Sequence, residues 1–229
     1  MHVHIIGPIG VGKSTFIRKL ASYFPGDIVI LDDMGDGNQF VNEFYSRCGE
    51  ISAFTSQASC MLRYAEQGDE IREMLLDDPD RIIFEDRSLD DAYYVFSRLL
   101  YELGFMSTDE LELLHVLYPR CLPNIPDVVV HLDAPTDVIL SRIKQRNREY
   151  EQDTIINELY MTRMREMYYE YYEILNEYES PVITVCSREY LSGNEIGDIA
   201  RLVTNLGMPR GMLSTKGPRK NVYTYKMDY

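Results

Sequence analysis

The sequence predicts an α/β fold, a doubly wound parallel sheet flanked by helices, on three observations. Five short apolar runs rich in β-branched residues recur along the chain: Val3 to Ile6, Ile28 to Leu31, Arg81 to Phe84, Val128 to Leu132, and Pro181 to Val185. Such runs lack polar alternation, as suits parallel strands buried on both faces. Longer stretches with helical spacing separate them, among them Leu111, Leu114, Val116 and Leu117, and Ile155, Ile156, Leu159 and Met164. The third observation is a glycine-rich turn, Gly7 to Ser14, directly after the first run. Strands alternating with helices imply a sheet whose ligands sit outside the carboxyl ends of its strands.

The turn after the first strand reads Gly7-Pro8-Ile9-Gly10-Val11-Gly12-Lys13-Ser14 and opens a helix through Thr15, Phe16, Ile17 and Leu20. This is the GxxxxGK[ST] pattern of a P-loop in the strand-to-helix setting that the motif requires. Glycines let the backbone wrap close to phosphate oxygens, successive N–H groups form an anion nest, and the helix N-terminus adds roughly half a positive charge. Lys13 would neutralise the β and γ phosphates of ATP, and Ser14 would offer its hydroxyl to Mg2+. Gly7, Gly10, Val11, Gly12, Lys13, Ser14 and Thr15 form the candidate ATP-binding set. A P-loop alone does not name a reaction. The NKxD motif by which common GTPases read guanine does not occur in the chain.

Composition narrows the partners. The chain has 229 residues, enough for one α/β domain and short for two. Its net charge of -14 argues against nucleic acid or an anionic membrane as partner, since either needs clustered Lys and Arg. No apolar stretch approaches the roughly 20 residues that cross a bilayer. The four cysteines, Cys48, Cys60, Cys121 and Cys186, form no CxxC pair, so no zinc site or disulfide framework is expected. Met1 leads straight into the first apolar run without the features of a signal peptide, and a cytoplasmic setting is the expectation.

Other candidates fall at later strand ends. The second run ends in Leu31-Asp32-Asp33 and the third in Phe84-Glu85-Asp86-Arg87-Ser88, both at the sheet's carboxyl edge. Taken alone, Asp86-Arg87-Ser88 could equally be a helix cap with a surface ion pair. After the fourth run, Arg142, Arg146 and Arg148 are spaced to converge on a transferring phosphoryl group, although an exposed, salt-bridged helix would give the same charge run. The Tyr-rich segment from Tyr160 to Tyr178 reads as a packed amphipathic helix. Residues 1–206 are expected to form the domain. From 207 to 229, Pro209, Gly211, Gly217 and Pro218 among basic residues suggest a flexible tail.

In order along the chain, these segments resemble the deoxynucleoside kinase family, especially its bacterial deoxyadenosine and deoxyguanosine kinase branch. Asp86-Arg87-Ser88 is similar to the family's DRS or ERS motif. Gly37-Asn38-Gln39-Phe40 through Phe44-Tyr45 resembles its NPFL…FY segment, and Ala53-Phe54-Thr55-Ser56-Gln57 its base-reading helix. Arg142 to Gln152 looks like the family's lid, RxxKRGRxYEQ, with Asn147 in place of glycine. The resemblance spans roughly Val3 to Val185. It implies a five-stranded parallel sheet with an Arg-rich lid, a homodimer, and transfer of the ATP γ-phosphoryl to a deoxynucleoside 5′-hydroxyl.

The same resemblance implies roles. Tyr45 and Glu151 would hold the sugar 3′-hydroxyl, Phe54 and Gln57 would meet the base, and Asp86 and Arg87 would contact substrate. Ser14 and Asp86 would ligate magnesium, and Arg142, Arg146 and Arg148 would join Lys13 around the phosphoryl group. From composition alone, Tyr45 would be core and Gln57 a solvated helix residue.

Two positions depart from the family pattern. Asp33, with Asp32 as the alternative, stands where a glutamate usually accepts the 5′-hydroxyl proton, and Asp86 could share the role. Ala92 stands where a base-contacting aspartate is often found, and Asp91 could replace it only through a shift of the helix. The acceptor base is therefore left open. The rival expectations are a thymidylate-type monophosphate kinase and a noncatalytic nucleotide-binding subunit.

Overall fold

The computed structural model describes residues 1–33, 38–46, 51–148, 151, 155–207 and 222–227. The elements follow in order: β1 (His2–Ile6), α1 (Lys13–Ala21), β2 (Ile28–Leu31), α2 (Gln39–Ser46), α3 (Ala53–Asp77) and β3 (Ile82–Asp86). A π-helical segment (Asp91–Ser97) then runs into α4 (Arg98–Glu102), followed by α5 (Thr108–Leu117), β4 (Val128–Asp133) and α6 (Thr136–Arg146). The remainder is α7 (Glu158–Glu170), α8 (Tyr172–Glu177), β5 (Val182–Cys186), α9 (Gly193–Gly207) and β6 (Val222–Met227). The Tyr-rich segment is thus two helices rather than one.

All strands pair in parallel in the order β2-β3-β1-β4-β5-β6. The sheet has six strands, not the five expected. The extra strand, β6, arises inside the segment expected to be a flexible tail, and it pairs with β5 through Val182↔Val222 and Ile183↔Tyr223. The helix-breaking Pro and Gly residues of that segment all precede Val222, and Val222-Tyr223-Thr224-Tyr225 is rich in residues that suit a pleated, half-buried strand. Residues 208–221 lie outside the described residues.

The strand order reverses at β1, which has β3 on one side and β4 on the other. The crevice at that switch point is where a doubly wound sheet takes its ligand. Buried Val3, Ile5, Ile6, Val128, Val129 and Val130 make the sheet's centre. Among the described residues no helix is long and apolar enough to cross a membrane.

Helix α3 carries its buried stripe at Ala53, Gln57, Cys60, Tyr64, Gln67 and Ile71, the three- and four-residue spacing of one helix face. Ser52 caps it by accepting from the Thr55 N–H at 3.1 Å. Three polar residues, Gln57, Tyr64 and Gln67, thus enter an otherwise apolar interface.

Candidate functional site

The loop after β1 is shaped for close approach of the backbone. Gly7 has φ 142°, and a Cβ there would lie 2.1 Å from the Leu132 carbonyl oxygen. Gly12 precedes α1 in the left-handed region at φ 110°. The Lys13 ammonium is buried and donates to the Gly7 and Pro8 carbonyls at 3.2 and 3.4 Å. Burial and Arg87 push its pKa down, against the pull of Asp86, Asp33 and Asp91. A cation held on its own loop by carbonyls can transfer to phosphate oxygens without crossing water.

Ser14 Oγ donates to Asp86 Oδ2 at 2.8 Å, and Lys13 Nζ stands 3.7 Å from Asp86 Oδ1. That Oδ1 is buried without a hydrogen-bond partner among the described residues. Burial pushes the Asp86 carboxyl upward, and Asp33 adds to the rise against Lys13 and Arg87. A hydroxyl and a carboxylate placed side by side, one oxygen unspent, form an oxygen donor set that fits a hard divalent cation.

Arg87 follows in the left-handed conformation, φ 66°, unusual for a residue with a side chain. Its N–H donates to Ile5 O at 3.2 Å, which ties the strained residue to the central strand. Strain of this kind persists where the surroundings over-determine it. Here it turns the side chain into the crevice, where Nη1 meets Asp33 Oδ2 at 3.0 Å and the guanidinium lies 4.7 Å from the Phe96 ring centroid. Burial alone would lower the Arg87 pKa, but Asp33 leads the groups that hold it above its usual value. Its Nε has no hydrogen-bond partner among the described residues.

The two aspartates after β2 separate clearly. Asp33 accepts from Arg87 and from the Tyr64 hydroxyl at 2.8 Å, whereas the Asp32 side chain is 68% exposed and faces Arg18 at 3.6 Å. Both aspartates line the cleft, Asp33 held by two partners and Asp32 exposed.

These groups open into one cleft of about 500 Å³. The P-loop residues Gly10, Gly12, Lys13, Ser14 and Thr15 line one end. Asp33, Tyr45, Gln57, Arg87, Arg142, Arg146, Arg148 and Glu151 line the cleft as well. Gln57 is buried, and its Oε1 has no hydrogen-bond partner among the described residues. The Tyr45 hydroxyl meets that of Tyr160 at 2.7 Å. Arg146 pairs with Glu151 through Nε at 3.1 Å and also through Nη2, and Arg148 Nη1 stands 3.9 Å from the same carboxylate.

A second, smaller cleft on the outer side of the P-loop is lined by Val11, Gly12, Thr15, Arg142, Ser187 and Tyr190, among others. There Arg142 donates to the Val11 carbonyl at 2.9 Å and lies 4.5 Å from the Tyr190 ring centroid.

Not every expected residue reaches the cleft. Phe54 is half-buried against the core and lies outside the cleft wall, because its neighbour Ala53 takes the buried stripe of α3. Asp86 stands behind Ser14 and not in the wall. Gly37, Glu149, Tyr150 and Gln152 lie outside the described residues. Sequence reasoning missed Tyr64, Phe96 and Tyr190, all of which line the cleft. Tyr64 carried a signal, standing seven residues after Gln57 on the same helix face. Tyr190 carried another, following the carboxyl end of β5. Phe96 carried none, since its direction depends on the π-helical turn.

Ala92 lines the cleft, and so does its neighbour Asp91, whose carboxylate is already bound to other groups. Asp91 Oδ2 accepts from the Ser88 N–H at 3.1 Å and lies 2.8 Å from His4 Nε2, and Oδ1 accepts from Tyr168 at 3.0 Å. Its carboxylate thus ties this part of the cleft wall to a buried network.

Within that network, burial alone would lower the His4 pKa, but the carboxylates of Asp91, Glu85 and Asp90 raise it from 6.5 to about 8. A histidine raised in the folded state adds stability that is fully present below pH 6.5 and is lost as pH rises through about 8. The loss expected across that window is about 2 kcal/mol. Urea unfolding at pH 6 and 8.5 would measure it, and a His4→Asn variant should show no such slope. An unchanged slope in the variant would rule His4 out as its source.

A P-loop facing an Asp–Arg pair across a cleft with cationic side chains defines a phosphotransferase. Residues 3–206 match the family model for deoxynucleoside kinases, and the chain belongs to that family. It is 26% identical over 212 residues to the deoxyadenosine kinase of Dictyostelium discoideum, covering 87% of this chain and 78% of that protein. It is 25% identical over 186 residues to the thymidylate kinase of Acinetobacter baylyi, covering 77% of this chain and 87% of that protein. The fold matches a deoxyadenosine kinase from M. mycoides, solved with dCMP and dCDP bound, at a TM-score of 0.73 and 24% identity over 90% of this chain and 99% of that one.

Proposed function

We propose that the protein transfers the γ-phosphoryl group of ATP to the 5′-hydroxyl of a deoxynucleoside, giving a deoxynucleoside monophosphate and ADP. The observation that carries this reading is the Asp33 carboxylate, held by Arg87 at 3.0 Å where the P-loop opens into the cleft walled by Gln57.

ATP would lie with its phosphates on the loop from Gly7 to Thr15 and its base in the outer cleft beside Tyr190. The nucleoside would occupy the inner cleft. Gln57 would offer its unspent amide to the base edge beside the Phe96 ring, and Tyr45 and Glu151 would hold the 3′-hydroxyl. The 5′-oxygen attacks the γ phosphorus, the bond to the β-bridging oxygen breaks, and the hydroxyl proton passes to Asp33. A carboxylate is a weak base for an alcohol, so Asp33 acts chiefly by orienting the hydroxyl through a loose transition state.

Arg87 aligns the carboxylate and the 5′-oxygen, with its Nε left for the incoming oxygens. Lys13 shifts from the loop carbonyls to the β and γ oxygens. Arg142, Arg146 and Arg148 form a lid that spreads positive charge over the moving group. Ser14 and Asp86 would hold Mg2+, which offsets charge on the β and γ phosphates.

The same reading makes the protein a cytoplasmic nucleotide-salvage enzyme whose kinase domain is residues 1–206 together with β6 of the same sheet. A homodimer fits the apolar Leu62, Leu113, Val116 and Leu122 exposed on α3, α5 and the turn that follows. Light scattering that shows a monomer at working concentration would remove that part.

Likeness to a thymidylate kinase favours one second reading, a monophosphate acceptor. An ADP-release assay with Mg-ATP, four deoxynucleosides and four monophosphates separates the two. Turnover of nucleosides is the expected result, and turnover of monophosphates alone would install the second reading.

A further inference from the structure

Tyr64 has no part in the chemistry above, yet it touches its central carboxylate. It stands two turns beyond Gln57 on the buried stripe of α3, about 10 Å further along the helix axis. Its ring is 4% exposed, and its hydroxyl donates to Asp33 Oδ1 at 2.8 Å while Arg87 holds Oδ2 at 3.0 Å.

The two contacts do different work. An ion pair with one oxygen leaves the carboxylate free to turn about its Cβ–Cγ bond, because that torsion has broad wells. A second donor, on the other oxygen and from a different element, removes the freedom. Burial and the nearby Asp33 charge push the Tyr64 pKa well above its usual value, so the hydroxyl keeps its proton and remains a donor.

We propose that Tyr64 is a positioning residue for phosphoryl transfer, whose hydroxyl fixes the rotation of the Asp33 carboxylate toward the acceptor hydroxyl. The proposal rests on the reading of the cleft as a nucleoside 5′-kinase site. It joins the two ends of α3: Gln57 meets the base, and Tyr64 sets the geometry at the reacting oxygen.

The test is Tyr64→Phe, which keeps the ring and removes only the donor. With the best deoxynucleoside, kcat falls about ten- to a hundredfold, as expected for a misaligned catalytic group. KM for nucleoside and ATP stays within about twofold, because the lost contact acts in the transition state. Asp33 is also faced by Arg87, Lys13, Asp86, Cys60 and Tyr168, none of which the substitution alters. Loss of the donor makes the carboxylate easier to protonate, so the acidic limb of the kcat profile moves to higher pH.

In an Asp33→Asn background the same substitution lowers the residual rate no further. An unchanged kcat overturns the proposal, as does an equal fall in the Asp33→Asn background with the acidic limb unmoved. If the wild-type protein binds ATP but phosphorylates no deoxynucleoside, both the site reading and this proposal fall. If the wild type turns over and Tyr64→Phe matches it, only the proposal falls.

Discussion

Asp33→Asn lowers kcat by about two to four orders of magnitude, the range attributed to a positioned acid–base group. The amide keeps the size of the carboxylate and can still meet the Tyr64 hydroxyl and Arg87. It cannot take the 5′-hydroxyl proton, and it leaves the Arg87 guanidinium without its principal counter-ion in a site where both side chains are mostly buried. Removing one partner of such a pair costs about 3 kcal/mol.

Two measurements keep the chemistry and the stability loss apart. Thermal unfolding with and without ATP should show an ATP-dependent rise in Tm in both proteins, since the P-loop is untouched. Coupled ADP release should then show the rate loss in folded protein. Asp32→Asn removes only an exposed charge facing Arg18 and should change kcat by less than about threefold, a small loss by the standards of a surface ion pair. Activity retained by Asp33→Asn and lost by Asp32→Asn would reverse the assignment.

Gly7→Ala abolishes ATP-dependent stabilisation and weakens the fold by about 2–6 kcal/mol, the combined range for a strained backbone and an overpacked contact. At φ 142° the backbone is in a region that residues with a Cβ rarely adopt, and the added carbon would lie 2.1 Å from the Leu132 carbonyl oxygen. The obstacle is main chain of β4, so no rotamer change relieves it. Relief requires the end of β1 to move from β4, which pairs with it through Ile6↔His131. That movement would also displace the Gly7 carbonyl that holds Lys13. Calorimetry with ATP and urea unfolding would read the two effects, and a variant with wild-type stability and ATP affinity would sink the argument.

Much of this molecule was legible in order along the chain, and the reason is that the signals are local. A P-loop is one contiguous turn whose glycines and lysine serve one ligand. Each of the first five strands is a short run without polar alternation, and the structure places them within two residues of the expected ends. The motifs at Asp86-Arg87-Ser88 and Arg142 to Arg148 fall just beyond strand β3 and in helix α6 and its end.

The tertiary structure decided what depends on partners far apart in sequence. Asp32 and Asp33 are adjacent and chemically alike; the family pattern favoured Asp33, and it is Asp33 that meets both Arg87, just past β3, and Tyr64 from α3. Tyr64 reads as an ordinary helix residue until α3 is docked, and on composition alone so does Gln57, because burial of a helix face is set by what packs against it. Asp91 lines the cleft but is held there by His4 on β1 and Tyr168 on α7, neither of them near it in the chain. Strand β6 exists through its pairing with β5, a hydrogen-bonded neighbour some 40 residues earlier that no local propensity specifies. Sequence therefore determined the P-loop, where one segment suffices, and tertiary structure determined the rest of the cleft, where buried side chains from separate elements must converge on Asp33.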